Sequence, residues 1–316
     1  MDHGSVTASA RFARTADLRG RGRTVVWDHP GPPNAPTLVL LHGVTLTAEL
    51  NWFGVVAALR RRYRVVTLDL PGHGDGLPHR RPFTLEDCAD DVAATADALG
   101  IDRFVPVGYS MGGFVAQLLW RRHPHRVAGL VLCATARTVL DSPLEHGVSL
   151  VLPSVVHATR WLPGIDRLGA DLLGSSLLGN GCDGHARGWA LTQMRRTPLN
   201  TALAAMQAAC GFASHRWIGL VDVPSAVVVT GEDRIVPARR QRDLARALPG
   251  CAVYEIAGDH GVFLSSPGLL ADALLQACDA VVSPVAGSVA GAVVGGSDLI
   301  ADGPVQADAV PGLTAS

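Results

Sequence analysis

Apolar residues along this chain follow two periods. Short continuous runs stand at Thr37–Leu41 (TLVLL), Arg64–Leu68 (RVVTL), Phe104–Val107, Val127–Cys133 and Ser225–Thr230 (SAVVVT). Unbroken Val/Leu runs of this length suit strands of a parallel sheet covered on both faces. Between them the period is helical. Thr84-Leu85-Glu86-Asp87 has the form of a capping box, and Leu85, Cys88, Val92 and Leu99 follow at helical spacing. Met111, Phe114, Val115, Leu118 and Leu119 form one stripe, and Leu269, Leu270, Ala273, Leu274 and Ala277 another. Strands alternating with helices predict an α/β fold with a mainly parallel sheet.

The alternation stops between Arg137 and Leu220. Helical pieces separated by Pro and Gly replace it: Val148–Val156, Trp161–Leu178, Ala186–Arg196 and Leu199–Phe212. The expected organisation is therefore a core of residues 23–136 and 221–282 carrying a helical insertion at 137–220. Residues 1–22 are polar and rich in Arg and Gly, and read as a flexible arm. Residues 283–316 are Gly, Ala, Val, Ser and Pro without a stripe, and read as a flexible tail.

Composition narrows the function. Hydrophobic residues are 48% and charged residues 17% of the 316, too apolar for a disordered chain. Arginines number 27 and lysine is absent, against 28 acidic residues. A net charge of −1 excludes a general nucleic-acid binder and long-range steering of a charged substrate. The six cysteines make no C-x-x-C pair and no zinc-ligand spacing, so no metal is expected. They read as scattered thiols of a reducing cytosol. The N-terminus lacks an apolar h-region and no run of 18 apolar residues occurs, so neither a signal peptide nor a transmembrane helix is expected, and the default location is the cytoplasm.

The chemistry concentrates at Gly108-Tyr109-Ser110-Met111-Gly112, a G-x-S-x-G that follows one strand and opens one helix. A serine hydroxyl needs a base. His260, in a loop after Ala252–Ile256, is the candidate, because imidazole takes and returns a proton near neutrality. The base needs a carboxylate to orient it. Asp233 follows SAVVVT directly, with Glu232 and Asp259 as rivals. Oxyanion donors are expected from the backbone N–H groups of Met111 and of Val44, in Leu41-His42-Gly43-Val44-Thr45, with Thr45 second. His42 reads as a brace for that loop. Thr45, Tyr109 and Trp161 are the expected substrate contacts. Pro106, which cannot donate to a ladder, is out of place in a central strand.

Taken together, LLHGV (40–44), DLPGHGDG (69–76), GYSMGG (108–113), RHPHRVAGLVLCATA (122–136), GEDRIVP (231–237) and AGDHGVF (257–263) make residues 24–282 resemble the α/β-hydrolase fold family, of the capped, esterase/lipase-like kind. The order Ser110, Asp233, His260 is that family's. The resemblance implies a mostly parallel eight-stranded sheet and a helical cap inserted after the sixth strand. It implies a serine hydrolase acting on a small-molecule carboxylic ester, without cofactor, with lactone or carbon–carbon bond hydrolysis, acyl transfer and non-catalytic ligand binding on the same fold as the alternatives. Two departures stand out. The segment Gly72-His73-Gly74-Asp75-Gly76 lacks the serine common there, and the acid loop Gly231-Glu232-Asp233 is one residue short, although the step from Asp233 to Pro237 keeps the usual spacing.

Overall fold

The structure, a computed structural model, describes residues 11–78, 82–140 and 184–283, with the backbone of Ala292–Val293. Eight strands make the body of one sheet: β1 (Ala13–Leu18), β2 (Gly22–His29), β3 (Thr37–Leu41), β4 (Arg64–Leu68), β5 (Val105–Tyr109), β6 (Leu130–Cys133), β7 (Ser225–Thr230) and β8 (Ala252–Ile256). Their order is β1-β2-β4-β3-β5-β6-β7-β8. β1 and β2 are antiparallel to their neighbours, and every pair from β4 to β8 is parallel. Ala292–Val293 adds a two-residue ninth strand beside β8, within the stretch expected as a loose tail.

The continuous apolar runs are explained by burial on both faces. Val39, Leu41, Val66, Leu68, Val227 and Val229 face one core, while Leu38, Leu40, Val65, Ala226 and Val228 face the other. The first core is covered by α3 (Leu85–Ala98), α4 (Met111–Arg122) and α7 (Ala238–Ala247). The second is covered by α1 (Ala48–Trp52), α2 (Val56–Leu59), α8 (Val262–Ser265) and α9 (Pro267–Val282). Thr84 caps α3 as its sequence predicts, accepting from the Asp87 N–H at 3.1 Å. Pro106 is accommodated by a bulge. Phe104 bridges Val127 and Val107 pairs with Val131, so three steps on β5 oppose four on β6 beside the proline.

The N-terminal arm is corrected from Ala13 onward. β1 pairs with β2 along six residues and buries Ala16 and Leu18 against α3. Two inward side chains are too short an alternation to read as a strand. The ladder and the ion pair of Arg21 with Asp91 hold it instead.

Of the expected insertion, residues 137–140 and 184–220 are described. Helices α5 (Gly184–Met194) and α6 (Leu199–Cys210) fall where the third and fourth helical pieces were predicted, while Val148–Val156 and Trp161–Leu178 lie outside the described residues. Gln117 of α4 ties the two ends of the insertion together. Its Nε2 donates to the Ala136 carbonyl and its Oε1 accepts from Ser214 Oγ at 2.7 Å. Cys88, Cys133 and Cys278 are buried, Cys210 and Cys251 are half-buried, and Cys182 lies outside the described residues.

Candidate active site

Ser110 stands between β5 and α4 with φ 53° and ψ −117°, a left-handed conformation that an L side chain rarely adopts. Strain of this kind costs roughly 1–3 kcal/mol and persists only where the surroundings impose it. Here two glycines let them. A Cβ on Gly108 would fall 2.3 Å from the Gly112 carbonyl oxygen, and one on Gly112 would fall 2.1 Å from that of Leu41. The helix can therefore start directly against the strand ends, and the Ser110 N–H is anchored to the Cys133 carbonyl at 2.9 Å.

Three side chains from distant parts of the sequence meet here. Ser110 Oγ lies 3.0 Å from His260 Nε2, and His260 Nδ1 lies 2.7 Å from Asp233 Oδ2. All three residues are buried. With Nδ1 donating to the carboxylate, Nε2 is left as the acceptor for the serine hydroxyl. Asp233 Oδ1 accepts from the N–H groups of Ile235 and Val236, both at 2.9 Å, and Oδ2 also accepts from Thr230 Oγ1 at 2.8 Å. Burial pushes the Asp233 pKa up. The hydrogen bond and charge of His260, the Val236 N–H and the Thr230 hydroxyl outweigh it and hold the carboxyl below its ordinary 3.8. Of the three carboxylates weighed from sequence, Asp233 alone reaches the histidine. Glu232 is exposed and contributes its backbone N–H to the Gly258 carbonyl, and Asp259 accepts from the Gly261 N–H.

The loop after β3 faces the serine. Gly43 passes close enough that a Cβ on it would touch Ser110 Cβ at 3.3 Å. Its N–H donates to Asn51 Oδ1 at 3.0 Å. His42 is buried and braces this loop. Nε2 accepts from the Leu70 N–H and Nδ1 donates to the Gly43 carbonyl, both at 2.8 Å. Burial drives its pKa down to about 4, so it is neutral at pH 7. Val44 is half-buried beside it. Thr45 is buried in a left-handed conformation (φ 64°), and its Oγ1 has no partner among the described residues. Met111 is the first residue of α4, so its N–H is free of the intrahelical ladder. The segment that lacks its serine closes around Asp69, which accepts from the N–H groups of Ala48 (2.6 Å) and Asp75 (2.8 Å).

Tyr109 is a correction. It is fully buried, and its hydroxyl donates to the His260 carbonyl at 2.7 Å. Its ring packs edge-on against Trp52 and Phe263. Side chains alternate along β5, so the residue before Ser110 points into the second core and supports the histidine loop rather than meeting substrate. Trp161 lies outside the described residues. Three contributors escape the sequence reading. Thr230 and Gln241 hold Asp233 and each other, with Gln241 Nε2 2.8 Å from Thr230 Oγ1. Gln193 of α5 reaches Thr47 Oγ1 and Glu49 Oε2, both at 3.2 Å, and so seats the insertion on α1. Polar residues in strands and helices give no local sign of such roles. Among the described residues no group of three or more His, Cys, Asp or Glu could hold a metal ion, and no helix is long and apolar enough to cross a membrane.

Comparison with known proteins agrees with this fold. A family model described as the alpha/beta hydrolase fold matches residues 36–156. A pimeloyl-acyl-carrier-protein methyl ester esterase of Aromatoleum aromaticum is 33% identical over 248 residues, covering 74% of this chain and 94% of that protein. A poly(3-hydroxyalkanoate) depolymerase of Ectopseudomonas oleovorans is 26% identical over 254 residues, covering 78% of this chain and 85% of the other. In structure, a thermophilic esterase from Thermogutta terrifontis superposes with a TM-score of 0.70 at 23% identity, over 85% of this chain and 98% of that one, a likeness of fold. With a sheet of this order, a serine at its elbow and a relative matched over nearly its whole length, the chain belongs to the α/β-hydrolase fold family, as a hydrolase akin to these esterases.

Proposed function

We propose that the protein is a serine hydrolase that cleaves a carboxylic ester through an acyl-enzyme. The observation that carries this reading is the continuous hydrogen-bonded series Ser110–His260–Asp233 at 3.0 and 2.7 Å. Ser110 Oγ attacks the ester carbonyl carbon while His260 Nε2 takes the hydroxyl proton. Charge gathers on the carbonyl oxygen, where the N–H groups of Val44 and Met111 receive it. His260 returns its proton to the departing alkoxide, which leaves as the alcohol. Water then gives a proton to His260 and its hydroxyl to the acyl carbon, releasing the acid and restoring Ser110. Asp233 keeps the imidazole in the Nδ1–H tautomer and stabilises the imidazolium. The Aromatoleum relative is a methyl ester esterase by name, which supports an ester over other carbonyl substrates. The reading extends to a substrate with a hydrophobic acyl or alcohol part, admitted beneath a helical cap formed by the insertion.

A fluorophosphonate probe tests it, with wild type beside Ser110→Ala and a p-nitrophenyl ester chain-length series in parallel. Labelling and hydrolysis should disappear in Ser110→Ala, a fall of at least about 10³-fold. Full activity in that variant would end the proposal.

A further inference from the structure

A cavity of about 240 Å³ opens between β2 and the helices α1 and α2. Its wall is largely aromatic, with Phe12, Trp27, Trp52 and Phe53, and His29 completes the ring of planar groups. Neither Ser110 nor His260 takes part in it. The volume falls below the ~300–1,000 Å³ of pockets for drug-sized ligands, which sizes an occupant at one or two rings.

Trp52 is fully buried and its Nε1–H has no accessible surface, so it contributes only its ring to the packing of the wall. The guanidinium of Arg60 supplies the wall's positive charge, standing 5.1 Å over the Phe12 ring. His29 adds no second charge at neutral pH, because burial first and Arg60 second drive its pKa down to about 4. Glu49, the acid of the wall, already receives Gln193 Nε2. An aromatic-walled cavity with a guanidinium in its wall fits a flat apolar body bearing one anionic group.

We propose that this cavity is an accessory binding site, separate from Ser110, for a small aromatic carboxylate whose acid group is taken by Arg60. Trp52 packs edge-on against Tyr109, which holds the His260 carbonyl. A ligand at this site therefore touches the same aromatic cluster that supports the histidine loop.

The probe is 1-naphthoate, titrated calorimetrically into protein whose Ser110 has been blocked with a fluorophosphonate. The neutral 1-naphthalenemethanol serves as its twin. Saturable one-site binding is expected for the acid and at least tenfold weaker binding for the alcohol. Arg60→Gln should weaken the acid tenfold. Ala57→Trp, made at an exposed position of the wall, should fill the cavity and abolish binding while its thermal midpoint shows that it is folded. No binding to the blocked wild type, or binding that a folded Ala57→Trp leaves intact, would overturn the proposal. The site does not rest on the hydrolase reading. If the reagent fails to label Ser110, the same comparison of wild type with Ala57→Trp is made on untreated protein.

Discussion

Asp233 collects hydrogen bonds on both carboxylate oxygens, and each donor favours the charged form. Replacing it with Asn keeps the size and inverts part of the pattern. An amide NH₂ set against the Thr230 hydroxyl and the His260 ring favours the wrong imidazole tautomer. The expected result for Asp233→Asn is a kcat lower by about 10⁴-fold with KM changed little, read in steady-state ester hydrolysis. A loss below tenfold would remove Asp233 from the proposed mechanism. Its depressed pKa also has a sign in pH. Stabilisation from the pair is full above the unfolded carboxyl value near 3.8 and disappears as pH falls through the lower folded value. At this scale the residue types and their order were legible in the sequence. So was the choice of Asp233, from its place after SAVVVT and its spacing to Pro237, and the structure adds why Glu232 and Asp259 do not serve, which is where their side chains lie.

The elements show why glycine matters at one helix and not at another. α4 begins where the Gly112 Cα faces the Leu41 carbonyl, so any side chain there drives the helix off the sheet. α5 carries Gly188 on an exposed turn, where a Cβ would meet nothing within 4 Å. Gly112→Ala is expected to cost about 3 kcal/mol or more and to move Ser110 out of line. Gly188→Ala should instead stabilise by about 0.5–1 kcal/mol, since alanine loses less backbone freedom on folding. Urea midpoints of the two variants check the contrast, and equal effects would contradict it. Periodicity revealed β3 to β7 and the helices α3, α4 and α9, whose apolar positions are buried, while β2, α1 and α2 were not read from it. β1 escaped because an antiparallel edge strand with two inward side chains carries hardly any pattern, and its partner, not its composition, makes it a strand.

Across the whole molecule, buried neutral histidines set the response to acid. Burial lowers the pKa of His42 to about 4 and that of His73 to about 3, against 6.5 when unfolded. Both folded values lie below the unfolded one, so the unfolded chain binds protons first as pH drops. Stability is therefore full above pH 6.5 and declines below it, by at most about 2 kcal/mol per histidine at pH 5. The urea midpoint should fall between pH 7 and pH 5, and a midpoint that does not move would show that these imidazoles can be protonated in place. The sequence by itself determined the α/β class, the order of the parallel strands along the chain, the Ser110 elbow and the histidine that follows the last long strand. Those features are written in local period and local turn chemistry. Only the tertiary structure decided that Tyr109 turns inward to the His260 carbonyl, that residues 13–18 complete the sheet, and that Trp52 and Arg60 wall one cavity. Each of these depends on side-chain direction or on pairing between segments far apart in the chain, and neither is encoded by neighbours in sequence.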